Sequence, residues 1–185
     1  MARLDKFLKN ITMLEFPKYR QTDENDCGAT AMHAVLAFYN IDVGKAEVVK
    51  VAGTNKEIGT PIEGIRKVAK RWGIKFKEGK FTLETLKEHI KKGWPTLLMI
   101  QAWSRQENPD WKKEWDQGHY VIAIGFDDKK IYFEDPISIK RTYLTYAALN
   151  TRWHGWDDEG NKIYKWGIVF MNKSGFSFED MEEME

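Results

Sequence analysis

Cysteine is almost missing from this 185-residue chain, which has one, Cys27. A single thiol cannot close an intramolecular disulfide, so a stapled secreted scaffold is excluded and a reducing compartment is expected. Long apolar runs are also missing. The strongest, Leu97–Ile100 and Tyr120–Ile124, fall well short of the roughly 20 residues that span a bilayer. Charges interrupt residues 1–10 before the apolar stretch of roughly 7–15 residues of a secretory signal can form. These absences predict a cytoplasmic chain with no membrane partner. Nor is there an excess of charge of either sign. The 29 Lys and Arg against 28 Asp and Glu leave a net +1, interspersed and without a basic stripe, which speaks against a nucleic-acid partner. No Gly-x-x-x-x-Gly-Lys-Ser/Thr loop occurs, and one cysteine with four scattered histidines cannot make a structural zinc site. No cofactor and no metal are expected.

What is present is an ordinary globular composition, 42% hydrophobic and 31% charged, in a length that suits one domain with its own core. The chain divides into a charged lead-in, residues 1–15, a body, residues 16–175, and a tail, residues 176–185. Five acids among the last seven residues predict a frayed end. Helical spacing of Ala31, Val35 and Phe38 predicts a buried helix over Cys27–Asn40, with Asn25 or Asp26 as its N-cap. Further helices are predicted over Gly44–Ala52, Thr60–Trp72 and Thr82–Gly93, and a short strand over Ile74–Phe76. Strands follow over Thr96–Trp103, His119–Phe126, Lys130–Glu134 and Ile163–Met171, the middle two forming a hairpin at Asp127–Lys129. Helices first and an antiparallel sheet second make an α+β domain.

The chemistry gathers at four positions. Cys27 ends a polar loop, Gln21-Thr-Asp-Glu-Asn-Asp26, and begins the apolar helix. Helix N-terminal amides favour a thiolate, as does a neighbouring imidazolium. The small Gly28 and Ala29 leave room for a substrate carbonyl. His119, after Gly118, opens an apolar strand where a general base can face a cleft. Asp135, before Pro136, closes the next strand and can fix the imidazole tautomer. Alternation puts Ile131, Phe133 and Asp135 on one face and Glu134 on the other, which favours Asp135 over the competing Glu134. Gln21 has a side-chain amide able to stabilise an oxyanion beside the sulfur. His33, His89 and His154 are read as structural. Eight tryptophans include Trp103, Trp111, Trp115, Trp153 and Trp156 in two loops, where they either anchor the core or line a cleft.

Gln21-x₅-Cys27-Gly28-x-Thr-Ala, then His119 after a glycine, then Asp135-Pro136 after fifteen intervening residues, resembles the papain-like cysteine peptidases that process bacteriocin precursors at a double-glycine leader, and their stand-alone relatives. The resemblance implies a papain-like fold in which the Cys27 helix packs on an antiparallel sheet carrying His119 and Asp135. It implies Cys27 as nucleophile, His119 as proton shuttle, Asp135 as its orienter and Gln21 as oxyanion donor, with a thioester intermediate and a peptide or protein substrate. The same chemistry supports acyl transfer or deamidation, and the same fold a peptide-binding module. Two features depart from the family: the membrane spans and transport ATPase to which bacteriocin-processing members are usually fused are absent, and the Ser104–Gln117 loop is long.

Overall fold

The computed structural model describes residues 11–179 and residue 184; most of the predicted lead-in and acidic tail lies outside them. A short strand β1 (Thr12–Met13) precedes three helices, α1 (Cys27–Phe38), α2 (Lys45–Ala52) and α3 (Ile62–Arg71). Then come β2 (Phe76–Lys80), α4 (Leu83–Lys91), β3 (Thr96–Gln101), β4 (Gly118–Phe126), β5 (Lys130–Glu134), β6 (Thr142–Thr145), α5 (Tyr146–Arg152), β7 (His154–Trp156), β8 (Lys162–Tyr164) and β9 (Trp166–Phe170). The main sheet runs β2-β9-β3-β4-β5-β6, with β1 added to β4, and all its pairings are antiparallel. The expected α+β arrangement is what forms.

The sheet has an apolar layer on each face. Strand alternation sends Tyr120, Ile122 and Ile124 toward α1–α3, where they meet Met32, Val35, Leu36 and Ile65. Val121 and Ala123 face the opposite way, onto Leu86, Ile90 and Leu149 of α4 and α5. Helix α1 is therefore buried along most of its length, with Cys27, His33 and Ala37 only partly covered. Gly64 is needed where α3 crosses α2, because a Cβ there would lie 2.0 Å from the Ala52 carbonyl oxygen.

The predicted strand Ile74–Phe76 is displaced. Ile74 is buried in the helical layer, and the ladder to β9 begins at Phe76↔Phe170 and ends at Lys80↔Trp166. The predicted single strand Ile163–Met171 is broken at Lys165, whose φ of 55° turns the chain. β8 pairs with β7 in a separate hairpin, while β9 enters the sheet. Elements β1, β6, α5 and β7 have no counterpart in the sequence reading, being short pieces whose apolar periodicity is weak.

Candidate active site

The first turn of α1 is assembled from several segments. Asp26 stands at the N-cap position without capping a backbone amide through its side chain. Its buried carboxylate instead accepts from the Thr30 hydroxyl at 3.2 Å and pairs with Lys45 at 2.8 Å. The capping acceptor is Thr60, whose hydroxyl takes the Ala29 N–H at 3.1 Å. Thr30 N–H goes to the Asp26 carbonyl. The amides of Cys27 and Gly28 have no acceptor among the described residues, so the end of the helix presents open donors beside the half-buried thiol. Gly28 does not make room for a substrate as expected. It is buried, and a Cβ would lie 2.6 Å from Thr60 Cβ and 2.8 Å from the Tyr120 ring. Its smallness lets α1 dock against β4.

His119 and Asp135 lie at the same end of neighbouring strands, the start of β4 and the residue after β5. His119 Nε2 meets Asp135 Oδ1 at 2.7 Å, with the two side chains 7% and 3% exposed as residues. A carboxylate only accepts, so Nε2 carries the hydrogen and Nδ1 is left for the Cys27 sulfur. Asp135 is surrounded by donors. Ile137 N–H reaches Oδ1 at 3.1 Å, and Trp103 Nε1–H and the Thr142 hydroxyl reach Oδ2 at 3.1 and 3.2 Å. Burial on its own would lower the His119 pKa. The Asp135 hydrogen bond and the neighbouring Cys27 outweigh it and push the value up to about 9. Burial conversely favours the neutral acid in Asp135, and the hydrogen bond and charge of His119 overcome that, holding its pKa below the ordinary carboxylate value. Glu134, the competing acid, faces away. It is paired with Arg141 and accepts the Tyr19 N–H at 2.9 Å.

Gln21 is tied to the same corner through its backbone, its N–H donating to the Pro136 carbonyl at 2.9 Å. Its side-chain Nε2 donates to the carbonyls of Asp23 at 3.0 Å and Glu24 at 3.5 Å, while Oε1 is buried without a partner. The structure thus brings Cys27, His119 and Asp135 to one place and sets Gln21 beside them, its amide turned toward the loop.

Cys27 and His119 share a cleft of about 500 Å³ whose walls come from residues 57–61, 115–120 and 156–158. Trp115 packs on Trp156 and Tyr164, with ring centroids 5.1 and 5.5 Å apart, and on His154 at 4.4 Å. The remaining histidines are held by local groups. His33 donates to the Val43 carbonyl, His154 to the Glu114 carbonyl, and His89 bonds the Thr96 hydroxyl. His154 lies on β7 rather than in the loop expected from the sequence. Asp158 was not singled out from the sequence, and Thr60 was read there only as the cap opening its own helix. Asp158 caps α3 from 95 and 96 residues away, accepting the Glu63 and Ile62 amides at 2.8 and 2.6 Å. Trp103 was only one of several loop tryptophans. Its one distinguishing trait is conformational, a φ of 60° that a sequence does not display.

The Peptidase C39 family profile matches residues 15–156. The lactococcin-A transport/processing ATP-binding protein of Lactococcus lactis subsp. lactis is 27% identical over 140 residues, covering 73% of this chain and 17% of that protein. The chain thus spans under a fifth of that relative's length. Among solved structures, a C39-like peptidase from Bacillus anthracis has a TM-score of 0.65 at 16% identity, over 90% of this chain and all of the other. A double glycine motif protease from an AMS/PCAT transporter, solved in complex with the leader peptide, has a TM-score of 0.61 at 19% identity, over 85% and 92% of the two chains.

Proposed function

Because this chain belongs to the Peptidase C39 family of cysteine-type peptidases, we propose that it hydrolyses peptide bonds with Cys27 as nucleophile, His119 as acid and base, and Asp135 as the group that orients the imidazole. One observation carries this reading: the 2.7 Å His119–Asp135 bond, which leaves the second ring nitrogen for the thiol at the mouth of the same cleft. The sulfur attacks the carbonyl carbon and the carbonyl π electrons move onto oxygen. As the C–N bond breaks, the imidazolium proton passes to the departing amine, leaving a thioester on Cys27. Water attacks the thioester and gives a proton back to His119, and the carboxylic acid product leaves with the sulfur restored.

The oxyanion needs donors. The unpartnered Cys27 amide is one. Gln21 is the second: its longer contact, 3.5 Å to the Glu24 carbonyl, is at the outer limit of a hydrogen bond, so little is lost when that N–H turns to a substrate. Trp103 and Thr142 hold the far oxygen of Asp135 and so position the pair from behind.

A peptide carrying Gly-Gly is the substrate to try first, since the transporter protease of similar fold is a double glycine motif protease. Among the described residues no helix is long and apolar enough to cross a membrane, so the protein is assayed without detergent. The test has two parts. Cys27 should alkylate with iodoacetamide near neutral pH faster than free cysteine. Cleavage of Gly-Gly peptides should be abolished in Cys27→Ala. Alkylation no faster than free cysteine, or cleavage surviving in Cys27→Ala, refutes the proposal. Product masses with and without an added amine separate hydrolysis from acyl transfer.

A further inference from the structure

The charges around the cleft are not distributed like those of the chain. Acids and bases are nearly equal over the whole sequence, 28 against 29. The cleft, however, is lined by Glu24, Glu57, Asp116, Asp157 and Asp158, with no lysine or arginine among its lining residues. His119 is the one basic group there, and its charge is neutralised within the buried pair with Asp135.

These carboxylates are committed to different degrees. Asp158 is spent on the N-terminus of α3, and Asp157 on the turn formed with Asn161. Glu24 has a loose partner in Arg105, 3.8 Å away with both side chains about nine-tenths exposed, a geometry worth little. The side chains of Glu57 and Asp116 have no hydrogen-bond or ion-pair partner among the described residues. No three acids stand close enough to hold a metal ion among those residues. The negative field is therefore spread along a rim instead of being focused on a chelate, which suits an organic cation.

Two independent features mark the cleft as a place where polar and cationic groups are received. Tyr120 lines it, is 5% exposed, and has a hydroxyl without a hydrogen-bond partner. That hydroxyl is close enough to Cys27 and Asp158 that, after burial, their charges further oppose its ionisation. The aromatic wall also already holds a cation, since the Lys162 ammonium sits 4.4 Å from the Trp115 ring centroid and 5.4 Å from that of Trp156.

We propose that this cleft selects peptides bearing a lysine or arginine side chain next to the scissile bond. The carboxylate rim draws the cation in, and the part of Trp156 that Lys162 leaves exposed gives its alkyl stem a surface to lie on. This deepens the peptidase reading by naming a substrate class for the same cleft, and the experiment is chosen so that the two can fail separately.

The test labels Cys27 in the intact protein with two methanethiosulfonates of similar size, one carrying trimethylammonium and one carrying sulfonate. Each rate is divided by the same reagent's rate with free cysteine, so the intrinsic reactivity of the sulfur cancels in the ratio. At low ionic strength the cationic reagent should be favoured about tenfold or more. The preference should shrink in about 1 M salt, where the screening length is about 3 Å, and by about threefold in the E57Q/D116N double variant. In parallel, acetyl-Gly-Gly-Lys-amide, whose lysine adjoins the bond after Gly-Gly, should protect Cys27 from neutral iodoacetamide at about one-tenth the concentration needed for acetyl-Gly-Gly-Glu-amide. A smaller preference, one insensitive to salt or to the double variant, or equal protection by the two peptides overturns the proposal. Slow alkylation by iodoacetamide alone would instead sink the nucleophile assignment, leaving the charge ratio to be judged by itself.

Discussion

Asp135→Asn is close to isosteric and tests how the site holds its imidazole. The carboxylate receives four donors, two on each oxygen. An amide supplies one accepting oxygen and one donating nitrogen. With the oxygen kept toward His119, the new N–H₂ group faces the Trp103 indole N–H, while the Thr142 hydroxyl can rotate and accept. One stranded buried donor costs about 1–3 kcal/mol. The larger effect is electrostatic. His119 is raised from 6.5 to about 9 despite a burial that pulls it down, a preference for imidazolium on the order of 3 kcal/mol. The Asp135 carboxylate is the first group opposing that burial, and removing its charge lets burial dominate. The expected result is a fall in kcat/KM of about 10²-fold or more, with the alkaline limb of the pH profile moving from near 9 toward neutrality.

Stability should follow the same sign. A raised folded value means that the stabilisation is fully present below about 6.5 and is lost as pH rises through about 9. The difference in unfolding free energy between wild type and variant, from urea titrations, should therefore be larger at pH 6 than at pH 10. Asp135 itself, with its value depressed, stays ionised across that window and adds no slope there. An alkaline limb that stays near 9 in the variant, or a stability gap that does not narrow, would refute the reasoning.

Substitutions at two other positions probe how the cleft is built. Gly28→Ala forces a Cβ to within 2.6 Å of Thr60 Cβ and 2.8 Å of the Tyr120 ring, so α1 must retreat from β4. Overpacking of this kind costs about 1–3 kcal/mol in denaturant titration and should slow Cys27 alkylation as well; wild-type stability in this variant would contradict the docking geometry. Asp158→Ala removes the acceptor of two α3 amides and should cost about 1–2 kcal/mol, read as a lower denaturant midpoint with an unchanged slope. Asp158→Asn, which keeps one acceptor oxygen, should recover part of that loss.

The residue pattern made several structural features legible because they depend on local physics. The apolar periodicity of Ala31, Val35 and Phe38 announces a buried helix, and a thiol at its first residue follows from the polar loop that ends at Asp26. The β4–β5 hairpin follows from two alternating apolar runs around Asp127–Lys129. Alternation along Ile131, Phe133 and Asp135 was enough to separate Asp135 from Glu134, since a strand cannot present neighbouring residues on one face. That same rule failed for Ile163–Met171, where a single residue with positive φ at Lys165 splits an apolar stretch into two strands of different sheets.

The other features join groups distant in sequence and arise only on packing. The cap of α1 is Thr60 and the cap of α3 is Asp158, although Asp26 and Thr60 are the cap residues a local reading selects. Gly28 is small because β4 and Thr60 press on it, a contact no neighbouring residue reveals. The imidazole's raised value depends on a sulfur 92 residues earlier in the chain and a carboxylate just after the adjacent strand. Which residue types are available and which elements carry them can be read from the chain alone, because propensity and periodicity act over a few residues. Their mutual distances, and hence their protonation, were decided by the packing of helix on sheet, because Coulomb and hydrogen-bond energies depend on separation in space and not along the chain.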